Sequence, residues 1–334
     1  MLVALALLIA TPKVLIEATR ASDSSSRDRG AYALARTFDP ADESATTLVR
    51  NLLERGEADQ HDAIRRGLMS RTWSSRPSWL DSMMNDALGR RLTPTWEAFL
   101  VLPHEDAVQL VLRDLREHGP QSSGIALAPM LDDDRLREPL REQHRLRGTA
   151  QLFFQGKCTI EGCHAALCEL SWLGEDLSKL YARYDGREFI PSETTATLIA
   201  SVRACGKEGG DLGAVRKSAR EWVDPLWRRQ LLEYLISLPG SPRAEAIAAA
   251  ADLAHDPNGR VRSRAVQLLS VVAGRSSDAA ISSALIYSLA DTDPDIRLDA
   301  VAGLLAMHAG STELAAQRKK ETDLAVQGLL DTSP

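Results

Sequence analysis

Four cysteines and one histidine are the residues of this chain whose types and spacing could support chemistry. They are Cys158, Cys163, His164, Cys168 and Cys205. Thiolates and a neutral imidazole bind metal ions and two thiols can form a disulfide, whereas a buried cysteine without such a role packs as a small hydrophobe. An apolar stripe with helical spacing runs through Ile160, Cys163, Leu167, Leu170 and Leu173. This stripe predicts packing cysteines on a helix, with no cofactor and no metal.

Three alternatives remain open for the same segment. The Cys-x4-Cys-His sequence at Cys158, Cys163 and His164 resembles the haem attachment of c-type cytochromes, in which the cysteines form thioethers and the histidine ligates iron. That resemblance, although the usual spacing is Cys-x2-Cys-His, implies an exported protein carrying one haem c. A zinc site would use Cys158, Cys163, Cys168 and Cys205, with His164 as a substitute ligand. A disulfide is the third alternative.

The elements that must position these residues are helices. The 334 residues include 46 Ala and 48 Leu, together about 28% of the chain, and only 5% are aromatic. Ala and Leu are the residues that destabilise a helix least. The composition therefore predicts closely packed amphipathic helices and excludes an extended all-β protein. A conventional small-ligand enzyme is disfavoured because ligand pockets are usually lined with aromatic side chains.

The charge balance argues against nucleic acid as a partner. Forty basic residues face 46 acidic ones, a formal net charge of −6. This balance leaves no surplus of cations to neutralise phosphates. The apolar stretch near the N-terminus is too short, and too often interrupted by other residues, to span a membrane. We expect a cytoplasmic protein, with export or anchoring through residues 1–21 as the alternative.

A repeat occupies the C-terminal third of the chain. Asp256-Pro257 recurs as Asp293-Pro294 37 residues later, and Val261-Arg262 recurs as Ile296-Arg297 35 residues later. The first copy therefore carries two extra loop residues. A third copy begins upstream at Val223-Asp224-Pro225. Recurrence at this interval indicates a stacked array of two-helix units.

The repeat unit has a readable local structure. The Asp is expected to cap the second helix of the pair, and the Pro lies in the first turn, where a missing N–H is tolerated. That helix then reads apolar-Arg-x-x-Ala-apolar-x-Leu-Leu. One apolar stripe comprises Val261, Ala265, Leu268, Leu269 and Val272. The pattern predicts helices at 244–254 and 261–272, followed by helices at 279–289 and 296–307.

These motifs resemble HEAT repeats of the bacterial, phycobilisome-lyase type. The Asp-Pro turn, the apolar-Arg pair and the following Ala-x-x-x-Leu pattern carry the resemblance, which is strongest over residues 220–310. It implies an all-α fold, an α-solenoid of about eight or nine helix pairs. Candidate second helices start near residues 27, 62, 94, 134, 161, 192, 225, 260 and 295.

The strength of the repeat pattern divides the chain into three segments. Residues 1–148 read as divergent HEAT-like repeats, and residues 149–220 as an irregular helical segment that contains the cysteines. Residues 221–334 carry the best-matching repeats. An array of this kind can extend through a whole chain as one continuous body.

Enzymes built on HEAT repeats do not fit this sequence. Deoxyhypusine hydroxylase resembles the chain in size, but its di-iron site uses several His-Glu pairs and only His104-Glu105 occurs here. His104-Glu105-Asp106 instead predicts the acidic first turn of a helix. HEAT-like DNA glycosylases need a strongly basic face, which the charge balance does not support. The aspartates at 132–134 likewise predict a helix start rather than a cation site.

A short loop-like segment combines tryptophan with arginine, the residues that are enriched at interface hot spots. Its members are Arg71, Trp73, Arg76 and Trp79. They are the candidate partner-binding residues. The alternative is that these tryptophans fill gaps where repeats are irregular.

The sequence therefore predicts a non-catalytic scaffold or adaptor that binds a protein partner along the concave surface of a helical solenoid. The first alternative is the exported haem protein, and the second is a role like that of chromophore lyases, implied by the repeat subtype alone. Partner choice would depend on surface charge complementarity.

Overall fold

The chain forms helices joined by short turns. A computed structural model describes residues 13–56, 58–69, 71, 79–80, 102–122, 124–147, 160–178, 181, 193–206, 209–240 and 244–332. Within these ranges the regular secondary structure is entirely helical and contains no strand. The predicted all-α class is confirmed for this part of the chain, and the solenoid arrangement stays a prediction.

Seventeen α-helices occur in the described ranges. They are α1 Lys13–Ala18, α2 Ser24–Thr37, α3 Glu43–Arg55, α4 Ala58–Met69, α5 His104–His118, α6 Gly124–Leu131, α7 Arg137–Arg147, α8 Ile160–Leu173, α9 Glu193–Cys205, α10 Leu212–Glu221, α11 Pro225–Ile236, α12 Ala244–Leu253, α13 Gly259–Ala273, α14 Ala279–Ser288, α15 Pro294–Met307, α16 Ser311–Arg318 and α17 Leu324–Leu330. Two short 3₁₀ helices span Gly119–Gln121 and Asp134–Leu136. None of the described helices is long and apolar enough to cross a membrane.

Aspartate side chains begin many of these helices. Seven of the described helices have an Asp at the N-cap whose carboxylate accepts a hydrogen bond from a backbone N–H of the first turn: Asp23, Asp42, Asp211, Asp224, Asp278, Asp293 and Asp323. Such a cap satisfies a donor that the helix leaves unpaired and stabilises it by about 1 kcal/mol. Short-range chemistry therefore determines where these helices start.

The C-terminal repeats form the helix pairs that the sequence predicts. Helices α12 and α13 match the first predicted pair within two residues at each end, and α14 and α15 match the second pair equally well. The stripe residues Val261, Ala265, Leu268, Leu269 and Val272 are all buried. The periodicity of the apolar residues was therefore sufficient to locate both the helices and their buried faces.

The capping prediction fails in one copy of the repeat. Asp224 and Asp293 cap α11 and α15 as expected. Asp256 does not cap α13, because the two extra loop residues move the helix start to Gly259. Asn258 takes the capping role, since its Oδ1 accepts a hydrogen bond from Arg260 N at 3.0 Å.

The arginine of each repeat copy binds an acidic residue in the turn that follows the next helix along the chain. We call these three bidentate pairs the arginine ladder: Arg228 with Asp256, Arg262 with Asp291, and Arg297 with Glu321. Their N···O distances run from 2.6 to 3.2 Å. Bidentate arginine–carboxylate pairs are strong and geometrically specific. The apolar-Arg motif thus fastens successive repeats to each other.

Two of these arginines, Arg228 and Arg297, also bind the turn that precedes their own helix. Arg297 Nη1 donates to the carbonyl oxygens of Asp291 and Thr292 at 3.0 and 3.2 Å. At the acidic end, burial would raise the pKa of Glu321. The hydrogen bonds from Arg297, the Asp323 backbone and Gln317 outweigh burial and lower that pKa to about 2. The carboxylate is therefore ionised over the whole neutral range.

The contacts divide the chain into two compact units that differ from the three sequence segments. Unit 1 comprises residues 1–77 and 262–334, and unit 2 comprises residues 78–261. The first and last parts of the chain therefore belong to one unit. The sequence segmentation assigned them to different regions, because local patterns carry no information about which distant helices share a core.

Unit 1 joins the N-terminal helices to the C-terminal ones. Helices α1 and α2 pack against α17, and α2 also contacts α4 and α15. Gly328 lets α17 approach α1 closely, since a Cβ at this position would lie 2.6 Å from Leu15 Cδ2. Arg29 Nε donates to Asp323 Oδ2 at 2.9 Å. The carboxylate that caps α17 thereby also pairs with α2.

Unit 2 has its own apolar core around α8 and α9. The buried cluster consists of Cys163, Leu167, Leu170, Leu177, Tyr181, Leu198, Ile199 and Val202. Trp227 and Tyr234 of α11 pack against its edge. The predicted stripe of the cysteine segment is buried at every member whose side chain the structure describes. This core holds α9 in place against α8.

Candidate functional site

The cysteines of unit 2 are used as cross-links. A disulfide joins Cys168 of α8 to Cys205 of α9, with the two Cα atoms 5.2 Å apart. Cys163 is disulfide-bonded as well, and its partner lies outside the described residues. The prediction that the cysteines act only as packing residues is therefore wrong for Cys168 and Cys205, and the disulfide alternative is the one found for them.

This cross-linking corrects the two cofactor alternatives. A cysteine held in a disulfide cannot form a haem thioether, which removes the role proposed for Cys163. Zinc requires thiolates, so Cys168 and Cys205 cannot act as its ligands while they are bonded to each other. Among the described residues, no group of three or more His, Cys, Asp or Glu side chains is arranged to hold a metal ion. Cys158 lies outside the described residues.

His164 has a structural environment. Its Nε2 lies 2.5 Å from Ser201 Oγ, and its ring stacks on Tyr234 with 3.9 Å between the ring centroids. Burial lowers the pKa of His164 to about 4. The imidazole is therefore neutral near pH 7, and through these contacts it joins α8, α9 and α11.

A groove beside the cross-linked helices is the candidate functional site. We call it the α9–α10 groove, and its volume is about 540 Å³. Its lining residues are Glu193, Ala196, Thr197, Ala200, Ala214, Lys217, Ser218, Glu221, Trp222 and Val223. Small alanines at positions 196, 200 and 214 allow another backbone to approach α9 and α10 closely.

The polar groups on the floor of the groove bind each other. Thr197 Oγ1 lies 3.2 Å from Ser218 Oγ and donates to the carbonyl oxygen of Glu193 at 2.9 Å. Both side chains are nearly buried. Because these hydroxyls already have partners within the protein, the floor offers a ligand small apolar surfaces rather than free donors.

Two exposed apolar side chains lie close together in the sequence at this point, and the first of them, Val223, lines the groove. Val223 is 94% exposed and Leu226 is 62% exposed, the two largest values among the exposed large hydrophobic residues described. Trp222 lies beside them and packs edge-on against Trp227, with 6.4 Å between the ring centroids. Exposed apolar side chains grouped at a concave surface are typical of a protein-binding site.

The rim of the groove has a slightly acidic charge. Glu193, Lys217 and Glu221 line it, a formal charge of −1. Arg220 Nη2 donates to Glu221 Oε1 at 2.5 Å, and this hydrogen bond lowers the pKa of Glu221. Glu193 begins α9. Because Arg220 already pairs with Glu221, Glu193 is the rim carboxylate that can pair with a positive charge on a partner.

The predicted partner-binding residues do not form this site. Arg71 belongs to unit 1 and Trp79 to unit 2. Arg71 stacks over the Phe38 ring, 5.1 Å from its centroid, and donates to the Phe38 carbonyl oxygen at 2.7 Å. Trp73 and Arg76 lie outside the described residues, so the prediction about this segment stays a prediction.

Other sequence expectations near unit 2 are confirmed. Helix α5 begins with His104-Glu105-Asp106, and Glu105 and Asp106 form its acidic first turn. Asp133 caps the 3₁₀ helix that starts at Asp134. Arg135 bridges Glu105 and Asp133 at this surface. The side chains of Arg135 and Glu105 are exposed to solvent.

Sequence reasoning missed the α9–α10 groove, although one signal was available. Val223 was read as an ordinary member of the third repeat copy, where the equivalent positions carry no large apolar residue. A Trp-Val pair directly before an Asp-Pro turn, followed by Leu226, departs from the repeat pattern. Whether these side chains become buried depends on which helices pack over the turn, and the local pattern does not specify that.

Comparisons with known proteins leave the family open. No protein-family model matches the chain, and the search of curated proteins found no match. Among solved structures, the chain is similar to the crystal structure of an engineered protein from the Northeast Structural Genomics Consortium, with 16% sequence identity and a TM-score of 0.34 over 95% of this chain and 96% of that chain. A likeness this weak does not bear on fold or function.

Proposed function

We propose that the protein is a non-catalytic adaptor built of HEAT-like repeats, and that it binds a protein partner through the α9–α10 groove. The observation that carries the proposal is the pair Val223 and Leu226, two large apolar side chains that stand in solvent. Val223 lines the alanine-rich groove, and Leu226 follows it in the first turn of α11. A solvent-exposed pair of this kind is stabilised when a partner covers it.

The chemistry of the groove favours an amphipathic helix as the bound segment. Alanines 196 and 200 are one helical turn apart on α9, which leaves room for a helix laid along α9 and α10. The partner would place apolar side chains against Val223 and Leu226. The Glu193 carboxylate at the rim favours a positive charge on the bound segment.

The arginine ladder indicates which residues do not recognise the partner. The three arginines of the repeat motif are each bound to a carboxylate within the chain. Their guanidinium groups therefore serve the stacking of the repeats rather than recognition. Partner choice is left to residues outside the repeat motif, and the groove consists of such residues. The concave face of a repeat array is a common place for such binding.

The disulfide bears on the compartment in which the protein works. Disulfides persist in oxidising environments and are uncommon in the cytoplasm. Cys168, Cys205 and Cys163 are all disulfide-bonded. We infer an oxidising compartment, which favours the exported alternative over the cytoplasmic one. The inference therefore proposes an exported protein, as that alternative did, but one without haem.

Site-specific photo-crosslinking tests the adaptor proposal. A benzophenone amino acid at Ala200 should yield one discrete adduct with a cellular protein in the native host. The same probe at Leu324, an exposed leucine in unit 1, serves as the matched control. Replacing Val223 and Leu226 by Glu should weaken the adduct at least tenfold, because losing two interface anchors removes about 2 kcal/mol or more.

The outcomes of this experiment are distinct. An adduct at Ala200 that survives the double substitution would show that Val223 and Leu226 do not anchor the partner. The absence of any groove-specific adduct would contradict the proposal. A screen of the purified protein that found turnover of a small molecule would contradict the non-catalytic part alone.

A further inference from the structure

Unit 1 contains a second cavity, which has a different chemical character. We call it the arginine pocket, and its volume is about 340 Å³. Its lining residues are Arg36, Thr37, Arg71, Ser270, Val271, Gly274, Ala302, Leu305, Ala306 and Leu329. Two arginines and no carboxylate line this pocket, whereas both acidic and basic side chains line the α9–α10 groove.

Arg36 is held rigidly at one side of the pocket. Its Nη1 donates to Tyr32 Oη at 2.7 Å and its Nη2 donates to the carbonyl oxygen of Ser270 at 2.9 Å. Tyr32 Oη in turn donates to Asp299 Oδ1 at 2.6 Å. Asp299 lies 3.6 Å from Arg36 Nη1. Positioning by several partners is typical of a group that is preorganised to bind a ligand.

Arg71 supplies the second cation. Burial lowers the pKa of Arg71 to about 10, Asp39 opposes the shift and the positive charge of Arg36 adds to it. The positive charge of Arg36 and burial therefore both disfavour the charged form of Arg71. An anion between them would reverse that effect, since opposite charge stabilises the ionised form.

The rest of the pocket wall is mostly apolar. Val271 lies on α13, Ala302 and Leu305 on α15, and Leu329 on α17. Its volume lies near the lower end of the range for small-molecule sites. An apolar wall next to two cations matches a small molecule with a charged head and an aliphatic body.

We propose that the arginine pocket binds an amphipathic carboxylate with an aliphatic chain of roughly six to ten carbons, its head group between Arg36 and Arg71 and its chain against Leu305 and Ala306. This site is separate from the α9–α10 groove, and it neither needs nor excludes a protein partner. Each additional methylene buried in the pocket should tighten binding about fourfold.

Isothermal titration calorimetry of the full-length protein with sodium octanoate tests this proposal. Hexanoate should bind more weakly than octanoate by about fifteenfold, as expected for two methylenes. Octanol has the same chain without the charge, and octyltrimethylammonium has it with the opposite charge. Both should bind at least tenfold more weakly than octanoate, because each lacks the interaction with the two arginines.

Two variants separate the head group from the chain. Arg71→Met keeps an apolar stem and removes the charge, and it should weaken octanoate binding at least tenfold while leaving octanol binding unchanged. Arg50→Met is the matched control on an exposed arginine of unit 1. Ala306→Phe adds bulk at an exposed pocket residue and should weaken octanoate and octanol alike.

Three results would contradict octanoate binding in the arginine pocket. Equal binding of octanoate and octyltrimethylammonium would overturn it, as would equal octanoate binding by Arg71→Met and the unchanged protein. No octanoate binding at millimolar concentration would also overturn it. If Arg71→Met lowers the helical circular dichroism signal, Ala306→Phe decides, because its side chain lies at the exposed edge and removes no buried contact.

Discussion

Residues 221–334 and residues 160–206 fasten neighbouring helices in different ways. In the first region the repeat spacing is regular, and one arginine per repeat binds an acidic residue 24 to 29 positions later. In the second region the spacing is irregular, and a disulfide joins two residues 37 positions apart. A long side chain can span adjacent repeats only where the register is constant. Where the register is lost, a direct cross-link between helices serves the same purpose.

The two devices respond to different conditions. A buried ion pair depends on both partners remaining charged and paired. A disulfide depends on the redox environment, and it acts mainly by restricting the unfolded chain. Substitutions can therefore remove the ladder and the cross-link separately. The contributions of the two devices to the free energy of unfolding can then be compared.

The largest effect is expected at the most deeply buried pair of the ladder. Arg228→Ala leaves Asp256 buried without its partner, so the free energy of unfolding should fall by about 3–5 kcal/mol. Urea denaturation monitored by circular dichroism measures this change. Arg229→Ala is the matched control, because that neighbouring arginine is half exposed and lies 4.0 Å from Glu233. Its substitution should change stability by less than about 0.5 kcal/mol.

The ladder hypothesis also predicts a coupling. In a double-mutant cycle, Arg228→Ala combined with Asp256→Ala should be less destabilising than the sum of the two single changes, since the pair no longer leaves one buried charge alone. Simple additivity would show that the pair does not act as a unit.

Removal of the cross-link should have the next largest effect. Replacing Cys168 and Cys205 together by Ala should lower the free energy of unfolding by about 2–4 kcal/mol, as expected for opening a loop of this length. Urea denaturation under oxidising conditions provides the measurement. Reductant should destabilise the unchanged protein by at least as much. A double variant with unchanged stability would show that the disulfide does not hold α8 to α9.

The smallest effect concerns the acid response of the two regions. His164 in the folded protein has a pKa of about 4, below the ordinary value of 6.5. Between these values the unfolded chain binds a proton that the folded chain does not, so stability should fall as the pH decreases from 6.5 to 4, by up to about 3 kcal/mol. Glu321 should contribute to acid loss only at lower pH, from about 4.5 to about 2.

Substitution of His164 separates these two pH windows. His164→Gln should flatten the dependence of the urea midpoint on pH between 6.5 and 4 and leave the loss below pH 4 intact. His308→Asn is the control, because His308 is exposed and Asn tolerates its left-handed backbone, φ 53°. An unchanged pH profile in the His164 variant would show that another group titrates in this range.

Much of the local structure was predictable from particular residues. Asp224 with Pro225, and Asp293 with Pro294, start helices where the sequence placed them. The stripe through Val261 and Leu269 is buried as its spacing indicates. These features depend on residues within one or two helical turns, so a short window contains the necessary information.

The candidate site was not predictable in the same way. Val223 looks like a repeat residue in the sequence, yet it stands almost fully in solvent. Arg71, one of the predicted partner-binding residues, lies over Phe38 in the wall of a pocket, a position that its own sequence segment does not specify. In both cases the neighbours that decide exposure come from helices distant in the chain.

The sequence by itself determined that the chain is helical, where the C-terminal helices begin and end, and which of their faces are buried, because period and capping are short-range properties. Tertiary structure alone decided that Cys168 pairs with Cys205 and that the repeat arginines bind acidic residues in the turn after the next helix. It also decided that the N-terminal helices share a unit with the C-terminal ones. Each of these outcomes depends on distances between residues far apart in the chain, which only the packing of the helices specifies.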